Sequence, residues 1–193
     1  RSTKHQVNGF RFRSILLTFF FCKAGGLKSF INKNKDNDYV KSWDEFFFIE
    51  GSLKAISILS NIFKNIFIVT NQRGIGRGIM TDQDLDIIHN KMIGEIEFKK
   101  GRIDKIYYCS DIDYLSLNRK PNPGMALNSK NDFSDVEFNK SFMVGDQLSD
   151  IEFGKNLGMK TILIGDLKMN KENLIPDHKF STLLDFSKIF ITK

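Results

Sequence analysis

Apolar residues along the chain gather in short continuous runs, and between those runs they recur every three or four positions. This is the signature of buried strands alternating with amphipathic helices. Ser14-Ile-Leu-Leu-Thr-Phe-Phe-Phe-Cys22 reads as the first strand. Ile66 to Thr70 reads as the second, Ile103 to Tyr108 as the third, Ser141 to Val144 as the fourth and Thr161 to Ile164 as the fifth. Between them, Leu53, Ile56, Leu59 and Ile62 mark one helical face, and Leu85, Ile88, Met92 and Ile96 mark another. Thr81 is placed to cap that second helix, with Asp84 three residues on in a capping-box arrangement. Further helices are predicted from Gly124 towards Lys130, from Leu148 to Leu157 with Gly158 as the stop, and from Leu183 to Ile191.

Strands alternating with helices imply an α/β fold, a Rossmann-like parallel sheet with helices on both faces. The segments after the first and third strands are short, so the fold carries a minimal cap or none. The polar run Asn32 to Asp38 reads as a loop. One domain over residues 1–193 is expected, with residues 1–13 as a poorly structured N-terminal extension. In such sheets ligands sit beyond the carboxyl ends of the strands, so chemistry is sought just after each strand.

Composition trims the options. The formal charge of +6 is spread over scattered Lys and Arg, which fits a solvated surface attracting a small anion better than a nucleic-acid footprint. Many of the 19 phenylalanines fall in strand-like runs and read as core. Two widely spaced cysteines, Cys22 and Cys109, form neither a disulfide framework nor a four-ligand zinc pattern, which points to a reducing cytoplasm. Arg11 and Arg13 before the first apolar run resemble a signal peptide, but the run is short and no clear cleavage site follows. A buried strand has the same composition and is the preferred reading, with the signal-like segment as the alternative. No run reaches the ~20 apolar residues of a membrane helix. A monomer is expected.

The candidate chemistry lies where the topology puts it. Thr70 and Asn71 close the second strand and suit the holding of phosphate oxygens, followed by Gly74, Gly76 and Gly78. Lys120, in Arg119-Lys-Pro-Asn-Pro-Gly124, is a point charge suited to phosphate and to a carboxylate. Asp146 follows the fourth strand and suits a hard cation such as Mg²⁺, with Asp150 one helical turn on as a supporting carboxylate. Alone, each block also reads as a turn or a helix cap; their fixed order at successive strand ends argues against coincidence.

Thr70-Asn-Gln-Arg-Gly-Ile-Gly-Arg-Gly78, Arg119-Lys-Pro-Asn-Pro-Gly-Met125 and Met143-Val-Gly-Asp-Gln-Leu-Ser-Asp150 resemble motifs two to four of the haloacid dehalogenase (HAD) superfamily phosphatases. The likeness is strongest to the branch of histidinol phosphatases and heptose-bisphosphate phosphatases. Tyr39-Val-Lys-Ser-Trp-Asp-Glu-Phe46 and Glu50-Gly51 resemble the same branch, and the likeness spans roughly Ile15 to Ile164. The resemblance implies Mg²⁺-dependent hydrolysis of a small phosphorylated metabolite. In it Asp146 binds the metal, Lys120 neutralises phosphoryl charge, and Thr70 and Asn71 bind phosphate. An open site suits a small phosphorylated metabolite, with Arg77 and Arg119 as the expected contacts to its distal charge. The segment from Ser110 to Asn118 supplies no Cys or His, so this chain is similar to members without zinc.

Motif one departs from the pattern. Where the family reads D-x-D-G-T/V-L/I-N, this chain reads Cys22-Lys-Ala-Gly-Gly-Leu-Lys28. Cys22 takes the nucleophile position and Ala24 the acid/base position. Alanine moves no proton, a loss that typically costs about 10²–10⁴ in rate. A thiol also removes a hard oxygen ligand that Mg²⁺ needs. The expectation is a phosphatase by fold with impaired turnover, or a corrupted reading of the first motif. The alternatives are a non-catalytic phospho-ligand-binding or interaction protein and, remotely, a Cys22-dependent phosphatase.

Overall fold

The computed structural model describes residues 14–18, 39–166 and 174–191. Six parallel strands form one sheet: β1 (Ser14–Thr18), β2 (Asn65–Asn71), β3 (Lys105–Cys109), β4 (Ser141–Gly145), β5 (Lys160–Ile164) and β6 (His178–Phe180). Their order in space is β3-β2-β1-β4-β5-β6. β1 lies between β2 and β4, with Leu17 opposite Ile68 on one side and Val144 on the other. The strand order reverses at this point, and the crevice of a doubly wound sheet opens there.

The helices are α1 (Ser52–Ile62), the short α2 (Arg73–Gly76), α3 (Asp82–Phe98), α4 (Gly124–Asp132), α5 (Leu148–Asn156) and α6 (Leu183–Lys188). Residues along β2 alternate between two cores. Ile66 and Ile68 join a cluster with Ile56 and Leu59 of α1, Leu85 and Ile88 of α3, and Phe186 of α6. Phe67 and Val69 face the opposite way, into a cluster with Met125 of α4 and Phe153 of α5. Every residue of β2 is therefore buried, which explains why its sequence runs apolar without alternation. The α/β architecture is as the hydrophobic pattern predicts.

Local rules hold at the helix ends. The Thr81 hydroxyl accepts from the Asp84 N–H at 3.1 Å, while the Asp84 carboxylate accepts from the Thr81 N–H at 2.8 Å, completing the capping box. Gly158 has φ +69° just past α5, the left-handed position that favours glycine. Gly154 lets α5 lie close on the sheet, because a Cβ there would come within 2.6 Å of the Met143 side chain and 2.7 Å of Thr161.

Differences from expectation are confined to edges. The third strand is shifted to Lys105–Cys109, and α6 stops at Lys188 rather than Ile191. β6 is absent from the sequence reading because His178-Lys-Phe180 is three residues long and two of the three are polar. Only Ser14–Thr18 of the first predicted strand is described; Cys22, Ala24, the loop from Asn32 to Asp38 and residues 1–13 lie outside the described residues. Between β3 and α4 only a loop intervenes, in keeping with a minimal cap. Among the described residues, no helix is long and apolar enough to cross a membrane.

One buried ionisable group on α3 makes a pH signature. Burial pulls the His89 imidazole down to about 4, with Asp86 opposing. The unfolded chain binds the proton near pH 6.5 and the folded chain does not, so this share of stability is present above 6.5 and is lost as pH falls towards 4. It should amount to roughly 2 kcal/mol between pH 6.5 and 5. Urea unfolding at both pH values should show His89→Gln losing less stability on acidification than the parent chain.

Candidate functional site

The side chains singled out in the sequence collect at the carboxyl ends of β2 and β4 and in the loop that leads into α4. Thr70 and Asn71 are the last two residues of β2, and both are buried. Asp146 follows β4 directly, and Asp150 sits in the first turn of α5. Lys120 arrives from the loop between β3 and α4, ahead of a cis peptide to Pro121.

Lys120 is the centre of the arrangement. Its side chain has no exposed surface, and its ammonium donates to the Val69 carbonyl at 2.8 Å and pairs with Asp150 Oδ1 at 3.0 Å. Its backbone is clamped by Asn71, whose Oδ1 accepts from the Lys120 N–H at 3.0 Å and whose Nδ2 donates to the Lys120 carbonyl at 3.2 Å. Burial pulls the Lys120 pKa below its ordinary value, against the attraction first of Asp150 and then of Asp146.

Asp150 does two jobs at once. While Oδ1 faces Lys120, Oδ2 accepts from the backbone N–H groups of Asp146 at 3.1 Å and Gln147 at 3.0 Å. The carboxylate thus folds back over the turn that precedes its own helix. It lies so close to Gly145 that a Cβ at that position would collide with it. That contact is the physical reason for a glycine immediately before Asp146 and a second aspartate four residues after it.

Asp146 is different. It is buried, and neither carboxylate oxygen has a hydrogen-bond partner among the described residues. Burial and the neighbouring Asp150 push its pKa up to about 8, with Lys120 and the Gln147 side chain opposing. A buried carboxylate with unused oxygens invites a hard cation or a proton. One carboxylate does not make a Mg²⁺ site, however. The described residues contain no cluster of three or more His, Cys, Asp or Glu able to hold a metal, and the thiol of Cys22 is a soft donor. Among the described residues the donor set is therefore short of the oxygen ligands that Mg²⁺ takes.

The remaining candidates have different surroundings. The Thr70 hydroxyl accepts from Gln72 Nε2 at 3.0 Å, and Gln72 is itself buried with Oε1 unpartnered among the described residues. Arg77 is exposed and donates to the Tyr39 hydroxyl at 2.9 Å, while Arg119 is half-buried and donates to the Ile112 carbonyl. The Asn71 amide oxygen and one of its two N–H groups engage Lys120, which gives the residue a holding role. Gln72 and the Val69 carbonyl were missed in the sequence, and composition carries no signal for either. Cys22 and Ala24 lie outside the described residues.

Comparison with known proteins gives the arrangement a context. Residues 117–185 match a family model described as HAD-hydrolase-like. The D-glycero-beta-D-manno-heptose-1,7-bisphosphate 7-phosphatase of Neisseria meningitidis is 36% identical over 166 residues, covering 82% of this chain and 88% of that protein. The D-glycero-D-manno-heptose-1,7-bisphosphate 7-phosphatase of Chlorobaculum tepidum is 33% identical over 153 residues, covering 73% and 76%. Among solved structures, the D,D-heptose 1,7-bisphosphate phosphatase of B. bronchiseptica, complexed with magnesium and phosphate, superposes with a TM-score of 0.75 at 26% identity, covering 93% of this chain and 98% of that one.

The geometry predicts a large penalty for breaking the central pair. Asp150→Ala strands the Lys120 ammonium in the interior and removes the acceptor of two backbone N–H groups, and should cost about 3–5 kcal/mol in urea unfolding. Replacing both partners with apolar residues, as in Lys120→Met with Asp150→Leu, should recover part of that loss. A single Asp150→Ala variant with unchanged stability would show that the pair is not formed.

Proposed function

The chain belongs to the HAD-like phosphatase family, alongside the heptose-bisphosphate 7-phosphatases, and we propose that it binds a phosphorylated sugar of that kind while hydrolysing it poorly. The observation that carries this reading is the buried Lys120, held by Asp150 and Asn71 with the unpartnered carboxylate of Asp146 close enough to act on its pKa. A fixed, desolvated ammonium is a strong site for phosphoryl oxygens, since charge interacts more strongly away from water. The Thr70 hydroxyl, which takes a hydrogen bond from Gln72, supplies a neutral donor at the end of the adjoining strand. Exposed Arg77 and half-buried Arg119 are suited to a second, distal phosphate. Of the sugar bisphosphate and histidinol phosphate suggested by the motifs, the relatives favour the sugar bisphosphate.

The weak step is the chemistry itself. Position 22 offers a thiol where the family pattern has the attacking carboxylate, and position 24 offers a methyl group that neither gives nor takes a proton. With Asp146 as its one strong carboxylate, the site should also hold Mg²⁺ weakly. Binding is thus better preserved than turnover, because Thr70, Lys120 and Asp146 are all present. Asp150 serves on this reading as the counter-ion and cap that fixes Lys120, and not as a metal ligand.

Phosphate release from heptose 1,7-bisphosphate with Mg²⁺ tests the proposal. The chain as it stands should turn over slowly, and Cys22→Asp with Ala24→Asp should raise the rate by about 10²–10⁴. Inorganic phosphate should raise the melting temperature of the unaltered chain, and Lys120→Ala should abolish that rise. A parent chain as fast as the doubly substituted one would overturn the impairment; a parent chain that phosphate does not stabilise would overturn the retained site.

A further inference from the structure

We infer that Asn71 is a positioning residue for phosphate binding, acting through Lys120 and not by touching the phosphate. The inference rests on the proposed phosphate site and adds to it the device that sets the geometry of its cation. A lysine side chain has four rotatable carbons and would ordinarily spend considerable rotamer freedom on becoming a fixed point charge. Here the freedom is removed at both ends of the residue. The ammonium is held by the Val69 carbonyl at 2.8 Å and by Asp150 at 3.0 Å. The peptide groups on either side of the Lys120 Cα are held by a single side chain, with Asn71 accepting from the N–H at 3.0 Å and donating to the carbonyl at 3.2 Å.

This two-point contact resembles one rung of a β-ladder, built by a side chain in place of a backbone. Asn71 is the last residue of β2, so it carries the pairing pattern of the sheet one step beyond the strand, into a loop that has no strand of its own. Lys120 lies 49 residues further along the chain, in a connection with no other regular structure between β3 and α4. The clamp adds a hold on the loop backbone to the contacts that Asp150 and Val69 make with the end of the side chain. Asparagine fits the task because one planar amide offers a donor and an acceptor together. Aspartate would turn an oxygen towards the Lys120 carbonyl, and serine is too short to offer both groups. The amide oxygen and one N–H of Asn71 are both directed at the Lys120 backbone, and whether its second N–H also reaches phosphate is what the test below reads.

A double-mutant cycle read by inorganic phosphate affinity separates the two roles. Asn71→Ala should weaken phosphate binding about tenfold, the loss expected for two ordinary hydrogen bonds that hold a binding group in place. Asn71→Asp keeps the acceptor for the Lys120 N–H and preserves volume, and serves as the second variant should the smaller residue disturb folding. Each is then combined with Lys120→Met, made together with Asp150→Asn so that no buried carboxylate is stranded. In that background the Asn71 substitutions should have no further effect, because nothing remains for the clamp to position. An equal loss in both backgrounds would mean direct contact with phosphate or a general structural role, and would overturn the inference. No loss in either background would overturn it too. Lys120→Met that leaves phosphate affinity unchanged would instead remove the phosphate site itself.

Discussion

The buried pair of Lys120 and Asp150 is the constraint around which the carboxyl end of the sheet is built. Two charges taken out of water carry a large desolvation penalty, and their mutual attraction repays it only when further polar partners complete the shell. The structure supplies those partners from three separate parts of the chain. Val69 and Asn71 come from β2, Lys120 from the loop after β3, and the N–H groups of Asp146 and Gln147 from the turn after β4. Gly145 follows from the same requirement, since any side chain there would occupy the space of the Asp150 carboxylate. A conformational choice at one residue is thus tied to charge burial at another.

The pair also governs the electrostatics of Asp146. With Asp150 nearby and water excluded, a second negative charge is disfavoured, which accounts for its raised pKa of about 8. A raised pKa at Asp146 weakens its negative charge near neutral pH, which lessens repulsion of an arriving phosphate and makes a cation compete with a proton there.

Much of this was legible from residues alone because the sheet is covered on both faces. Continuous apolar runs marked β2, β4 and β5, and the period of about 3.6 marked α1 and α3, down to the Thr81 capping box. The rule placing ligands at strand ends located Thr70, Lys120 and Asp146 without coordinates. What the sequence could not show was who holds whom. Asp150 reads equally well as a metal ligand, a cap or a counter-ion at the same i+4 spacing, and only its distances to Lys120 and to two N–H groups separate them. Asn71 reads as a phosphate ligand by residue type, and only the 49-residue return of the chain reveals its bonds to Lys120. β6 was missed for a simpler reason: a three-residue edge strand buries too little to leave a pattern.

These tethers bear on how far fold and catalysis can part company. The tethers described for Lys120 and Asp150 join residues between Val69 and Asp150. Folding itself therefore places a demand on Asn71, Lys120, Gly145 and Asp150, since removing one of them strands a buried charge or opens its cage. This chain carries Cys22 and Ala24 in the first motif while keeping the residues of motifs two to four. Likeness in motifs two to four consequently bears on the cage around a buried ammonium, and a cage of this kind does not by itself specify a reaction.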